Sequence, residues 1–427
     1  MIQYDTLIEG LNHGAYTSRL AVFYAEDTPR QEKRLIQTAQ LFSDFFGHTK
    51  GGFELFSAPG RSEICGNHTD HNRGKVMAAA INLDAVAVAK KRDDLRITVK
   101  SAGHEPDDIY VSDLTPSEME TGRSAAMIRG VCAGFVERGC HIGGFEAATM
   151  SDVLGGSGLS SSAAFEVLIG TILNHFYNDG QVPPLVIAQI AQYAENRFFG
   201  KPSGLMDQTA CSVGGFVRID FGDAARPVVE KVDFDFDTCG HALCVVDSGG
   251  SHANLTEDYG LVRGEMEAAA RALGKSVLRE LSLKAVLAEI PGLRETLGDR
   301  AVLRALHFFA ENERVDRMAA ALARGDFEAF KSIILESGRS SFMYNQNVYT
   351  GKPPQEQPVS LALALSETAL GGRGAWRVHG GGFAGTIQAF VPLDMLEGYR
   401  GAMEAVFGPG SCYVLRVRAQ GGSKLLD

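Results

Sequence analysis

Between Leu154 and Ala164 the chain reads Leu-Gly-Gly-Ser-Gly-Leu-Ser-Ser-Ser-Ala-Ala, which breaks any regular element in its first half and opens a helix in its second. Gly155, Gly156 and Gly158 let the backbone approach a ligand closely and turn its N–H groups towards it. Ser160, Ser161 and the alanines then start a helix expected to run from about Ser162 to Tyr177. A helix start with unpaired N–H groups is an anion site, and a serine hydroxyl there can also ligate Mg²⁺. Taken alone, the segment reads equally as a small-residue turn that caps a helix. It is not the P-loop, whose G-x-x-x-x-G-K-[ST] pattern no lysine of this chain completes. Any nucleotide must therefore be held on another scaffold.

The rest of the chain mixes helices and strands without a regular βαβ beat, so the class is α+β. Residues 1 to about 50 pattern as amphipathic helix. Leu83–Ala89 and Leu95–Val99 are strand-like and flank Lys91-Arg92-Asp93-Asp94, which predicts a hairpin. A helix after Pro183-Pro184 should end near Gly200. Asn254 with Glu257 resembles a capping box, and Gly274 marks a stop. Helices are expected over about 300–324 and 326–336. Residues 351–355 read as a surface loop. No solenoid repeat and no long low-complexity linker occur.

Three further segments concentrate polar groups. Ala58 to Asn72 reads Ala-Pro-Gly-Arg-Ser-Glu-Ile-Cys-Gly-Asn-His-Thr-Asp-His-Asn. An arginine there can fix charge on a phosphoryl group, and an aspartate can accept hydrogen bonds from sugar hydroxyls. His68, Asp70 and His71 are metal-ligand types, but their spacing fits no common helical metal motif. His379-Gly-Gly-Gly-Phe-Ala-Gly385 formally satisfies G-x-G-x-x-G, yet it runs into the strand-like Thr386–Val391 rather than into a helix. That excludes a dinucleotide fingerprint and leaves a pocket-lining loop or a plain turn. Gly204-Leu-Met-Asp-Gln208 places one carboxylate, Asp207, between apolar residues, and by itself suggests only a cap or a core-edge aspartate.

Composition narrows the function. A net charge of -11 gives no general attraction to nucleic acid or anionic membrane, so bound phosphate needs local groups. At 427 residues with 45% hydrophobic content, two domains, or one large one, with a sizeable core are expected. The seven cysteines are scattered with no C-x-x-C pair, which favours free thiols in a reducing cytosol over disulfides or a zinc site. The start, MIQYDTLIEGLNHG, lacks the basic and apolar regions of a signal peptide, and no apolar stretch approaches membrane-spanning length. The expectation is a soluble cytoplasmic protein, a monomer or weak homo-oligomer, without nucleic-acid or membrane partners.

Together and in this order, from about residue 50 to the C-terminus, these segments resemble the GHMP kinase superfamily and, within it, the galactokinases. The stretch from Arg61 to Asp70 resembles the sugar-binding signature G-R-x-N-x-I-G-E-H-T-D-Y, and residues 154–164 resemble the phosphate loop. Glu195-Asn-Arg-Phe198 with Met206-Asp-Gln208 resembles the A-E-x-x-F…M-D-Q block, and Gly380–Gly385 the third, glycine-rich motif. Asp258-Tyr259, Glu311–Arg314 and Glu336-Ser337 match more weakly.

The resemblance implies a two-domain α+β fold with the active site in the interdomain cleft, here 1–213 and 214–427. It also implies ATP and Mg²⁺ as cofactors and a galactose-like sugar phosphorylated at its anomeric C1 hydroxyl. Asp207 is similar to the family's catalytic aspartate and Arg61 to its partner. Ser162 and Glu195 are similar to the Mg²⁺ ligands, with Ser161 interchangeable with Ser162 on spacing alone. Gly155, Gly156, Gly158, Ser160 and Ser161 would cradle ATP phosphates. Asn67, His68, Asp70 and Tyr259 would bind the sugar.

Two departures bear on the substrate: Asn67 stands where the family has glutamate, and His71 where it has tyrosine. Asn67 carries no charge, which keeps galactose possible and admits a C6-acidic relative such as galacturonate. A catalytically silent sugar sensor is disfavoured by the intact Ser160–Ala164 and Asp207. A mevalonate or homoserine kinase is disfavoured by the sugar-type His68-Thr69-Asp70.

Overall fold

Three helices fill the start of the chain: α1 (Tyr4–Asn12), α2 (Thr17–Tyr24) and α3 (Thr28–Phe46). Their apolar stripes place Leu7, Leu20, Leu35, Ala39 and Phe42 against Leu55, Val86, Val88 and Ala148 of the following sheet. Each of the leucine, valine and phenylalanine side chains contributes about 1.5–3 kcal/mol when removed from water. The expected amphipathic helices therefore exist, and what they cover is one face of a sheet. The structure is a computed structural model that describes residues 2–47, 52–153, 155, 158–223, 225–250, 255–350 and 354–426.

The chain divides into two compact units. The first comprises Met1–Arg61, Ala80–Gly215 and Arg418–Asp427, and the second Ser62–Ala79 and Phe216–Val417. The sequence reading expects one cut at 213/214. The units also place residues 62–79, with most of the sugar-type signature, in the second unit and the last ten residues in the first. Strand pairing between distant segments causes this, and a linear reading does not show it.

In the first unit, β1 (Glu54–Cys65, through Arg61), β2 (Lys75–Lys91, from Ala80), β5 (Phe145–Ser151), β3 (Arg96–Ser101) and β4 (Asp107–Tyr110) lie side by side in that order. The C-terminal strand Ser423–Lys424 pairs with β1. The predicted hairpin between residues 83 and 99 does not form. β5 sits between the two strands, antiparallel to β2 (Val88 opposite Ala148) and parallel to β3 (Val99 opposite Ala147). The turn signal was local, and β2 is buried on both faces, so nothing in it selects the neighbouring strand. Helices α4 (Ser124–Glu137), α5 (Ser161–Tyr177), α6 (Pro184–Ala194) and α7 (Met206–Val213) complete the unit. α6 continues as a π-helical turn, Glu195–Phe199, and stops at Gly200 in a left-handed conformation (φ +88°).

In the second unit, β6 (Phe216–Asp220) pairs with Lys75–Ala79 of β2 and with β7 (Val228–Val232). β8 (His241–Asp247), β9 (Ala375–Val378), β10 (Thr386–Pro392) and β11 (Cys412–Leu415) form an antiparallel sheet in the order β11-β8-β10-β9. β10, the strand expected after the glycine-rich loop, is buried throughout. Helix α8 (Thr256–Ala272) is followed by Gly274 with φ +74°. The capping-box residue Asn254 and residues 351–353 lie outside the described residues. Farther along come α9 (Leu283–Ala288), α10 (Ile290–Leu297), α11 (Asp299–Ala323) and α12 (Phe327–Ser340), the last capped by the Asp326 carboxylate, which accepts from the Ala329 amide at 3.0 Å. Among the described residues no helix is long and apolar enough to cross a membrane.

Candidate active site

In the first unit the end of β1 meets the end of the glycine-rich segment. Gly60 has no side chain because a Cβ there would lie 2.7 Å from the Leu159 carbonyl. The next residue, Arg61, donates its backbone N–H to that carbonyl at 3.0 Å. Its guanidinium then grips Asp207 with a fork, Nε to Oδ1 at 2.8 Å and Nη2 to Oδ2 at 2.7 Å, while Nη1 donates to the Gly158 carbonyl. Such bidentate charge-assisted pairs fix both partners in orientation as well as in charge.

Asp207 sits in the first turn of α7, where the helix dipole favours a negative group. The Ser160 hydroxyl also donates to its Oδ2, at 2.6 Å. Ser160 holds a left-handed backbone (φ +65°) just ahead of α5 and makes no side-chain cap on that helix. A serine in this place normally accepts from the helix's own N–H groups. Here it is turned to the aspartate, which leaves the start of α5 uncapped by its N-cap side chain. Burial pushes the Asp207 carboxyl pKa up, but Arg61 and the Ser160 hydroxyl outweigh it, and the pKa falls below the ordinary 3.8.

Two residues further, the Ser162 hydroxyl donates to Glu195 Oε1 at 3.1 Å. The Lys201 ammonium reaches the same oxygen at 2.8 Å, and Gln208 donates to Oε2 at 2.8 Å. Ser162, rather than Ser161, is thus the serine brought to Glu195. A hydroxyl and a carboxylate oxygen this close, already matched by one cationic group, suit a hard divalent cation such as Mg²⁺. That ion takes few protein ligands and fills its octahedron with water and phosphate oxygens. Behind Gln208, Glu166 is fully buried, and burial followed by the Glu195 charge pushes its pKa well up. Gly155 is exposed, with nothing near the position of a Cβ. Gly156 lies outside the described residues.

In the second unit the glycine-rich loop 380–385 receives the sugar-type signature. His68, in a left-handed conformation (φ +59°), donates Nε2–H to the Gly381 carbonyl at 2.9 Å. The Tyr259 hydroxyl donates to the Gly382 carbonyl at 2.9 Å, and its ring meets Phe383 edge-on at 5.3 Å. A Cβ at Gly381 would come within 2.6 Å of the Tyr259 ring, so this position requires glycine. His68 and Tyr259 are thus gathered on one loop, and Asp70 stands two residues beyond His68, half-buried.

Asn67 differs from the sequence expectation. It is 1% exposed, and its amide donates to Glu63 Oε1 at 3.0 Å and to the Gly380 carbonyl at 2.7 Å. Its carbonyl oxygen accepts from Asn347 at 2.8 Å and from Ser341 at 3.2 Å. Two donors and two acceptor positions are filled, which leaves none for a sugar hydroxyl. Its side chain is a knot in the wall of the unit.

Sequence reasoning also misses the groups that hold this wall. Glu311 is fully buried in α11 and accepts from the backbone N–H groups of Gly66 (3.1 Å) and Asn67 (3.4 Å), and from the Ser337 hydroxyl. Burial opposes its charge, but His307, Arg377 and Arg314 bring its pKa down to about 2. His307, which burial lowers to about 4, donates Nε2–H to the Asn67 carbonyl at 2.9 Å. The fully buried Arg377 reaches Glu63 at 3.1 Å and the Ile64 carbonyl at 2.8 Å. Glu311 falls in a weak motif match that suggests no role, and the others carry no local pattern.

Residues 40–91 match the galactokinase galactose-binding signature, and residues 126–215 match the N-terminal domain of GHMP kinases. A galactokinase of Streptomyces coelicolor is 32% identical over 385 residues, spanning 88% of this chain and 94% of that protein. The chain belongs to the galactokinase family. Its fold is that of GHMP kinases. Lactococcus lactis galactokinase, solved with galactose, superposes with a TM-score of 0.76 at 24% identity, covering 92% of this chain and all of that one. Methanococcus jannaschii mevalonate kinase superposes at 0.61 with 12% identity, covering 86% of this chain and 99% of that one. Set against the galactokinase signature G-R-x-N-x-I-G-E-H-T-D-Y, this family member carries Glu63 at the signature's asparagine and Asn67 at its glutamate. The two residue types have changed places, and their side chains bond to each other.

Proposed function

We propose that this chain is a galactokinase that transfers the γ-phosphoryl group of ATP to the C1 hydroxyl of galactose, giving galactose 1-phosphate and ADP in the cytoplasm. The observation that carries the reading is the Arg61–Asp207 fork, completed by Ser160 from the glycine-serine loop. Phosphoryl transfer needs positioning and charge stabilisation more than covalent help. Asp207, kept ionised by Arg61, orients the C1 hydroxyl and takes its proton as that oxygen bonds to the γ-phosphorus and the bond to the ADP oxygen breaks. Arg61 stabilises charge on the transferring group. The backbone of Gly155, Gly156 and Gly158, with Ser160 and Ser161, cradles the phosphates. Ser162 and Glu195 would hold Mg²⁺, which neutralises phosphate charge when bound. His68, Asp70 and Tyr259 hold the sugar, and Asn67 acts on it through the wall it braces.

A C6-acidic sugar is the weaker reading. Its premise is a carboxylate lost from the signature, yet Glu63 returns one 3.0 Å from Asn67. The deciding assay offers galactose, galacturonate, N-acetylgalactosamine and glucose with ATP and Mg²⁺, and follows sugar 1-phosphate. Turnover led by galactose is expected. Galactose binding without any transfer would replace the kinase with a sensor, and preferential turnover of galacturonate would replace the substrate.

A further inference from the structure

The glycine-serine loop is anchored at both ends, and only its far end, at Gly158–Ser160, belongs to the Arg61–Asp207 arrangement. Its near end is Asp152, directly after β5. One turn of α3 closes on that residue. Arg34 places Nη1 at 2.5 Å and Arg30 places Nη1 at 2.9 Å from Asp152 Oδ2, and the Gln31 amide lies 3.4 Å from the same oxygen. The Asp152 N–H donates to the Asp84 carbonyl at 2.9 Å. Arg34, only 6% exposed, is itself fixed by the fully buried Asp84 carboxylate, which also binds Arg418, Ser57 and the Tyr24 hydroxyl. The next residue, Val153, packs where a Cβ on Gly60 would lie 3.0 Å from its methyl group, beside Arg61. Three neighbouring side chains of an N-terminal helix therefore hold the root of the loop and, through Val153, its fit against β1.

We propose that Asp152 is a positioning residue for the nucleotide phosphates, held in place by Arg30 and Arg34 of α3. The inference rests on the reading that residues 154–164 bind those phosphates. It assigns to the N-terminal helices a part in nucleotide affinity beyond covering the sheet. An amide at 152 would keep the shape but lose the charge and point N–H groups at two guanidinium groups, so the root should loosen.

The test is calorimetric titration of ADP with Mg²⁺, without sugar, on the full chain and its Asp152→Asn, Arg30→Gln and double variants. Asp152→Asn should weaken ADP binding about tenfold, since small misplacements of a binding loop are costly. Arg30→Gln, at an exposed side chain that also pairs with Asp27, should weaken it about threefold, and the double variant should be no worse than Asp152→Asn because the Arg30–Asp152 pair is already lost in that single variant. In turnover, KM for ATP should rise while KM for the sugar stays put, a split that general destabilisation would not produce. ADP affinity within twofold of wild type in both single variants overturns the inference while leaving the phosphate loop intact. A wild-type chain that binds no ADP overturns the loop reading and the inference with it.

Discussion

Glu63 and Asn67 are hydrogen-bonded to each other at 3.0 Å, in the reverse of the order in which the galactokinase signature carries these two residue types. The exchange keeps one carboxylate and one amide in the same place in the wall. The carboxylate is answered by Arg377 at 3.1 Å, and the amide by four partners. A one-position reading sees a lost charge at residue 67, whereas the pair has conserved it.

Asn67→Glu alone should therefore destabilise the chain by about 3 kcal/mol, since it sets two buried carboxylates together and removes two donors. Glu63→Asn in the same chain should recover more than half of that loss. Denaturant midpoints of both single variants and the double variant measure the coupling. Additive losses would mean that the pair does not act as a unit.

Asp207→Asn should lower kcat by about 10²–10⁴-fold, the range for loss of a positioned general base. Binding of ADP should change little, because the glycine backbone and the start of α5 remain. Near-normal kcat in steady-state assays would remove the proton-accepting role from Asp207.

Much of this arrangement was legible because glycine, serine and charged motifs are local. The helix after Ser160, the stop at Gly200 and the strand after Gly385 each depend on neighbours in sequence. The insertion of β5 between β2 and β3, the return of the last residues to β1 and the burial of Asp84 between Arg34 and Arg418 depend on segments tens to hundreds of residues apart. The role of Asn67 was illegible for the same reason. Its four partners lie at positions 63, 341, 347 and 380, and only the first is near in sequence.

The Arg61–Asp207 pair predicts a pH response. Arg61 outweighs burial and holds Asp207 below its ordinary 3.8, so the carboxylate is present throughout the neutral and mildly acidic range. Its stabilising contribution is complete above the unfolded value and is lost as pH falls through the folded one. In Arg61→Gln, burial acts without the opposing cation and the pKa should rise. The acidic limb of the kcat profile should then move to higher pH on top of a lower plateau. An unmoved limb would mean that a group other than Asp207 takes the proton.

Glu311 offers a way to separate the wall from the chemistry. It touches no atom expected to react, yet it accepts from the backbone of Gly66 and Asn67, the residues directly before His68. Glu311→Gln keeps the shape but turns two N–H donors towards groups that also donate. Charge-assisted bonds of this kind contribute about 1.5–3 kcal/mol each, and part of that should appear as lost stability. The remainder should appear in the sugar site, because a shifted Gly66–Asn67 backbone carries His68 away from Gly381. KM for galactose should rise about tenfold while KM for ATP and ADP affinity stay within twofold. An equal rise in both KM values would place the effect in folding rather than in the sugar-binding wall.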